Sequence, residues 1–232
     1  MPIFALDDQL AFPPVHLADP EGILAVGGDL RPERLILAYQ SGIFPWYSDG
    51  QPIIWWSPDP RFILEPHEVK VSKSMRKVLR DRQFRITYDQ AFEDVIQACK
   101  QIPRMGQSGT WITDEMQQAY IHLHKLGYAH SVEAWQEDQL VGGLYGISLG
   151  SCFFGESMFA KVSNASKAAF LTLVHDLTNH GFTMIDCQVH TAHLESLGAK
   201  EVYREWFVTR LHEGLQAPSM IGNWESLIPQ KN

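Results

Sequence analysis

Apolar positions fall at helical spacing early in the chain, over about residues 32–41, where Leu35, Ile36 and Tyr39 share a face. Pro32 suits a first helical position and Gly42 the residue just past the end. Arg31 is a poor cap by side chain, so Asp29 is the expected source of a capping oxygen. Beyond residue 70 the pattern becomes regular. A helix with Met75, Val78 and Leu79 as its apolar keel leads to a strand near 84–88 and a helix near 89–101. A Gly-containing loop, 102–110, delivers Trp111, and Thr113 then caps a helix over 114–126 with Met116, Ala119, Tyr120 and Leu123 on one face. Three strands follow as a meander, at about 129–136, 139–147 and 151–158. Gly142-Gly143 inside the second predicts a bulge or a close approach by another backbone. A helix over 165–179, capped by Ser163 or Asn164, a buried strand over 182–189 and a short helix near 191–197 complete the core.

Proline divides this pattern. Ten of the thirteen prolines lie in residues 1–66, so the expected organisation is a small proline-rich N-terminal domain (1–66) with one helix and an aromatic cluster, followed by a regular domain (67–232). The class is α+β. A meander, then a helix, then a parallel strand is the element order of a GNAT-like acyltransferase core. With 232 residues, 45% hydrophobic and 20% charged, the chain can bury a large core without disulfide or metal staples. Its three cysteines are widely spaced and make no CxxC pair. No apolar run approaches a membrane span, and the N-terminus lacks the basic region of a signal peptide, so a cytoplasmic location is expected.

A net charge of −8 speaks against nucleic acid until its distribution is read. Residues 70–85 carry +6 and the remainder −14. Lys73, Arg76, Lys77 and Arg80 fall at i, i+3, i+4 and i+7, a stripe suited to a phosphate backbone; a solvated charged face is the plainer reading.

Strand 182–189 holds a second signal. Alternation places Met184, Asp186 and Gln188 on one face and Ile185, Cys187 and Val189 on the other. A carboxylate and an amide in such a run need partners, whether structural or ligand-borne. Glu156, between aromatic and apolar neighbours in FFGESMF, is another isolated acid; it makes either a buried ion pair or a site for a cationic substrate. With adjacent strands, Glu156 and Asp186 converge on one cation, and a guanidinium fork fits such a pair. Trp46, Trp55, Trp56 and Trp111 are core aromatics or stacking surfaces for unpaired bases. No P-loop, GxSxG elbow or acetyl-coenzyme A loop is present; AKVSNASK stands where that loop belongs. Cys187, His190 and His193 lack a fourth ligand, so no metal and no cofactor is expected.

DPEGILAVGGDL (19–30), LAYQSGIFPWYS (37–48), WWSPDPR (55–61), VSKSMRK (71–77), GTWIT (109–113), LVGGLYGI (140–147), FGESMF (154–159), NASKAA (164–169) and IDCQV (185–189) together resemble the leucyl/phenylalanyl-tRNA–protein transferases. The resemblance implies transfer of Leu or Phe, less readily Met, from aminoacyl-tRNA to the α-amine of proteins beginning with Arg or Lys, creating an N-end rule degradation signal. It implies Trp46 and Trp111 near the aminoacyl-adenosine end, with Tyr39 and Tyr120 beside them. An apolar side-chain pocket is implied at Phe153, Met158 and Ile185, with Leu144, Leu173 and Leu177 at further pocket positions. Glu156, Asp186 and Gln188 match acceptor and catalytic positions, with Asp186 as proton relay; Arg76 and Arg80 match tRNA-binding basics. The familiar Leu-Asn-Asp-His after IDCQV reads His190-Thr191-Ala192-His193. A monomer is expected. An acetyl-coenzyme A-dependent acetyltransferase and a non-catalytic RNA-binding module are the two alternatives.

Overall fold

The computed structural model describes residues 3–102 and 112–228. The N-terminal part holds a four-stranded sheet: β1 (Phe4–Leu6), β2 (Ile23–Gly27), β3 (Phe44–Pro45) and β4 (Ile54–Trp56), in the order β1-β2-β4-β3. The proline-dense pattern did not predict these short strands. Helix α1 (Pro32–Gln40) forms where expected, but Asp29 Oδ1 accepts the N–H of the cap residue Arg31, at 2.9 Å, rather than one from the first helical turn, and the Arg31 side chain makes no capping bond. Trp55, fully buried, donates its indole N–H to Gly27 O at 2.9 Å.

The second sheet has seven strands: β5 (Arg61–Leu64), β6 (Arg85–Tyr88), β7 (Ala129–Gln136), β8 (Gln139–Leu149), β9 (Cys152–Ala160), β10 (Met184–Gln188) and β11 (Lys200–Val202). Their order is β11-β5-β10-β9-β8-β7-β6, with β10 parallel to β9 and every other pairing antiparallel. The expected boundary after 66 passes one strand, because β5 is buried between β10 and β11. Four residues that are covered on both faces leave no alternation to read.

The helices are α2 (Lys73–Arg80), α3 (Phe92–Gln101), α4 (Asp114–Lys125), α5 (Ala165–Asn179), α6 (Ala192–Ser196), α7 (Arg204–Gly214) and α8 (Trp224–Leu227). Ser72 caps α2 and Thr113 caps α4, each accepting a backbone N–H at 3.2 Å. Asn164 stands at the start of α5 in the left-handed region (φ 70°), and its side chain makes no capping bond. Strands β7 to β9 are buried on both faces, and their alternation feeds two cores. Tyr145, Ile147 and Phe154 pack with α3 and α4, whereas Leu144 and Phe153 pack with α5. Gly142 marks a close approach: a Cβ there would lie 2.6 Å from that of Ala165, at the start of α5.

Candidate functional site

Two strand irregularities build the site. In the β8–β9 ladder Tyr145 pairs with Ser157 but Gly146 with Gly155, so Glu156 is the extra residue of a bulge. In β10 the register to β5 shifts between Asp186 and Gln188, and Gln188 takes a left-handed backbone (φ 63°). Asp186 Oδ1 accepts the Gln188 N–H at 2.9 Å, a local turn that holds this conformation. The expected alternation therefore breaks: Asp186 stays on its own face, and Gln188 joins Ile185, Cys187 and Val189 on the wall of a cavity of about 550 Å³.

The parallel pairing of β9 and β10 runs only from Cys152 opposite Met184 to Phe154 opposite Asp186. Past that point the bulged segments border the cavity with Glu156 and Gln188. Gln188 Nε2 donates to Glu156 Oε1 at 2.8 Å. The hydroxyl of Tyr39 on α1 lies 2.8 Å from Oε1 and that of Tyr120 on α4 lies 3.0 Å from Oε2; the two hydroxyls also hydrogen-bond to each other. Burial pushes the Glu156 carboxyl up to about 7, against the pull of the hydrogen bonds from Tyr39, Tyr120 and Gln188. Burial, then the Glu156 charge, raises both phenols well above the ordinary tyrosine value.

Asp186 meets a different partner. Arg61 Nε and Nη2 donate to its two oxygens at 2.8 and 2.6 Å, and both side chains are fully buried. Arg61 also donates to Gly42 O at 3.2 Å and lies between the rings of Phe44 and Phe207, at 4.7 and 4.5 Å. The guanidinium fork expected for Asp186 is thus the chain's own, and Asp186 does not line the cavity. This corrects two expectations, Asp186 as a proton relay and Asp186 as half of a cation clamp with Glu156: a carboxylate with both oxygens spent on a buried Arg faces no substrate. Sequence reasoning missed Arg61, although a buried Asp demands a cation and Arg61 is the only one in β5.

Of the expected pocket residues, Leu144, Phe153, Met158 and Ile185 line the cavity, with Phe170 as an unforeseen member from α5. Leu173 and Leu177 do not line it; both are fully buried where α5 packs on the sheet. Tyr39 and Tyr120 stand behind Glu156, fully buried, rather than on the cavity wall. Trp46 does line it, with its backbone carbonyl accepting the Trp56 indole N–H at 2.7 Å. Trp111 lies outside the described residues. At the rim, Thr191 spends its hydroxyl oxygen capping α6 by accepting the Leu194 N–H at 3.2 Å. The bulge expected at Gly142-Gly143 falls beside them, where the β7–β8 register shifts at Val141, and neither glycine lines the cavity.

On α2, Lys73, Arg76, Lys77 and Arg80 are all exposed while Met75 and Val78 are buried, as the stripe requires. Asp81 draws on two of them, pairing with Lys77 and, at 3.2 Å, with Arg80. Among the described residues no group of three or more His, Cys, Asp or Glu is placed to hold a metal ion, and no helix is long and apolar enough to cross a membrane.

Two family models match the chain. One, described as leucyl/phenylalanyl-tRNA protein transferase, covers residues 63–212, and the other, the N-terminal domain of the same enzyme, covers 28–59. A leucyl/phenylalanyl-tRNA–protein transferase of Syntrophus aciditrophicus is 56% identical over 226 residues, 97% of this chain and 95% of its own. Those of Desulfatibacillum aliphaticivorans (56% over 224 residues; 97% and 96%) and Flavobacterium johnsoniae (57% over 209 residues; 90% and 99%) are similar to the same degree. Among solved structures, a conserved protein of unknown function from Staphylococcus epidermidis aligns at a TM-score of 0.43 with 11% identity, over 78% of this chain and 68% of that one. The structure of L-PGS from Bacillus licheniformis aligns at 0.39 with 13% identity, over 73% and 54%. At TM-scores this low neither likeness bears on the fold.

Proposed function

The chain belongs to the leucyl/phenylalanyl-tRNA protein transferase family, and on that premise we propose that it moves Leu or Phe, and less readily Met, from tRNA to the α-amine of proteins beginning with Arg or Lys. The product carries an N-end rule degradation signal. One observation carries the reading: a cavity with apolar walls at Leu144, Phe153, Met158, Phe170 and Ile185 ends on the polar pair Glu156 and Gln188. The apolar part suits an uncharged Leu or Phe side chain, and Trp46 at its edge suits stacking on the terminal adenine. The parting of parallel β9 and β10 supports reading the seven-stranded sheet as a GNAT-like acyltransferase core.

An aminoacyl ester is already activated, so its aminolysis needs positioning rather than an energy source. The neutral acceptor amine attacks the ester carbonyl. The new C–N bond replaces the C–O bond to the ribose, and the proton lost by the amine ends on the departing ribose oxygen. Gln188 donates through Nε2 to Glu156, so its carbonyl oxygen is the part that accepts the amine's N–H and orients the attack. An amide oxygen is too weakly basic to hold that proton itself. Asp186 acts at one remove: with Arg61 it fixes the backbone turn that aims Gln188. The cationic stripe Lys73, Arg76, Lys77 and Arg80 supplies contacts to the tRNA backbone. Such a reaction proceeds in the cytoplasm, with a monomer sufficient for it.

The test is transfer of labelled leucine from Leu-tRNA to a peptide starting with Arg, beside a Gly-started peptide and an N-acetylated Arg peptide. Product only with the free Arg terminus supports the reading. Tight tRNA binding without product in any arm would replace it with an RNA-binding module.

A further inference from the structure

Glu156 is the one carboxyl among the described residues that lines the cavity, and its surroundings constrain its proton. Three oxygen–oxygen contacts close a ring: Tyr39 to Glu156 Oε1, Glu156 Oε2 to Tyr120, and Tyr120 to Tyr39. Each contact needs one hydrogen between its oxygens. Each phenol supplies one, and burial keeps both phenols protonated. An ionised Glu156 therefore leaves two hydrogens for three contacts, with two lone-pair oxygens face to face. A protonated Glu156 supplies the third hydrogen, and the ring closes in either sense. The fourth contact, from Gln188 Nε2 to Oε1, is satisfied in both states.

The remaining neighbours do not compensate a negative charge. Tyr145 on β8 faces both phenols from the same core. Asp186 on β10 adds a repulsive charge, and Arg61 on β5 is already spent on Asp186. The rim of the cavity presents His190 and His193, and among the described residues no lysine or arginine lines it. Burial lowers His193 below the ordinary histidine value, which disfavours its charged form. Burial of a carboxylate with no cation beside it is unfavourable, and Glu156 sits pushed up to about 7.

We propose that Glu156 rests protonated, its hydrogen closing the ring with Tyr39 and Tyr120, and that a cationic acceptor displaces this proton to solvent as it binds. Acceptor binding is then coupled to proton release, and the site acquires its negative charge only when a positive partner arrives. Tyr39 and Tyr120 are positioning residues in this scheme. The coupling rests on the acceptor chemistry proposed above; the resting protonation does not.

Infrared spectroscopy reads the proton directly, through the C=O stretch of a neutral carboxyl group. In the full-length protein at pH 6 the band is expected, fading as pH passes about 7 and absent from Glu156→Gln. Burial lifts one other carboxyl among the described residues, Glu133, so Glu133→Gln isolates the Glu156 band even where Glu156→Gln does not fold. No neutral carboxyl band in Glu133→Gln at pH 6 overturns the proposal. Adding a tetrapeptide that begins with Arg is expected to erase the band, whereas one beginning with Gly leaves it. The affinity for the Arg peptide should rise about tenfold with each unit of increasing pH up to about 7 and level off above it. A band that survives saturation with a peptide that is still being extended overturns the coupling. A protein that shows the band yet neither binds nor extends the Arg peptide overturns the acceptor reading and the coupling with it, and leaves the resting protonation established.

Discussion

Arg61 and Asp186, 125 residues apart, form a two-pronged ion pair with no solvent exposure on either side chain. The pair joins β5 to β10 at the residue that opens the turn aiming Gln188 into the cavity. Its worth lies in what breaking it would leave behind, an uncompensated charge in the core.

Asp186→Asn should lower folding stability by about 3–5 kcal/mol, because Arg61 keeps its charge and loses its partner. Arg61→Lys should also destabilise, since an ammonium cannot reproduce the fork. Transfer should fall in both through a misplaced Gln188, with the shape of the pH–rate profile unchanged. Denaturant unfolding together with single-turnover transfer across pH checks this. A profile that loses a limb in Asp186→Asn would restore Asp186 as the relay.

Gln188 combines a left-handed backbone with the role proposed for it. Gln188→Gly relieves the left-handed backbone by about 1 kcal/mol while giving up the bond to Glu156, so stability should change little. Transfer should fall about 100-fold, because the amide that orients the amine is gone. Measuring kcat and melting temperature on the same preparation separates the two effects.

Glu156→Gln should become progressively more stable than the parent as pH rises. The folded protein holds the Glu156 proton up to about 7 whereas the unfolded chain releases it near the ordinary 4.5. The parent thus loses stability between those values, on the order of 3 kcal/mol in all, and glutamine has no proton to lose. Denaturation midpoints of the two proteins from pH 4.5 to 8 should diverge accordingly. Parallel curves would mean that Glu156 titrates normally.

Leu144 lines the cavity, and Leu173 lies in the core beneath it. Leu144→Phe should narrow the pocket and favour Leu over Phe by about tenfold in kcat/KM. Leu173→Ala should cost about 2–5 kcal/mol and leave that ratio unchanged. Competition between Leu-tRNA and Phe-tRNA, with unfolding curves, tests both.

Asp81 partly neutralises the basic helix through Lys77 and Arg80. Asp81→Ala should tighten tRNA binding. The double change Lys73→Ala with Arg76→Ala should weaken it and reduce the salt slope by about 2. Titrations at several salt concentrations give both quantities.

Sequence pattern alone carried most of the seven-stranded half of the fold: the meander and α5 repeat their signal over eight to fifteen residues, and β10 stands out as a buried run. It also exposed the basic stripe on α2 and singled out Glu156, Asp186 and Gln188 as polar groups in apolar strands. It did not show β1 to β5 or β11, most of them in the proline-dense N-terminal part, where turn signals outweigh a run of two to five residues. Nor did it show which way the three polar side chains point. Strict alternation puts Asp186 and Gln188 together, whereas one bulge at Glu156 and one turn at Gln188 send Gln188 to the cavity and leave Asp186 to Arg61. A bulge is set by what lies on the far side of the strand, and those partners come from segments 36 to 125 residues away. Residue type determined that partners were needed, and only the tertiary structure decided which ones they are.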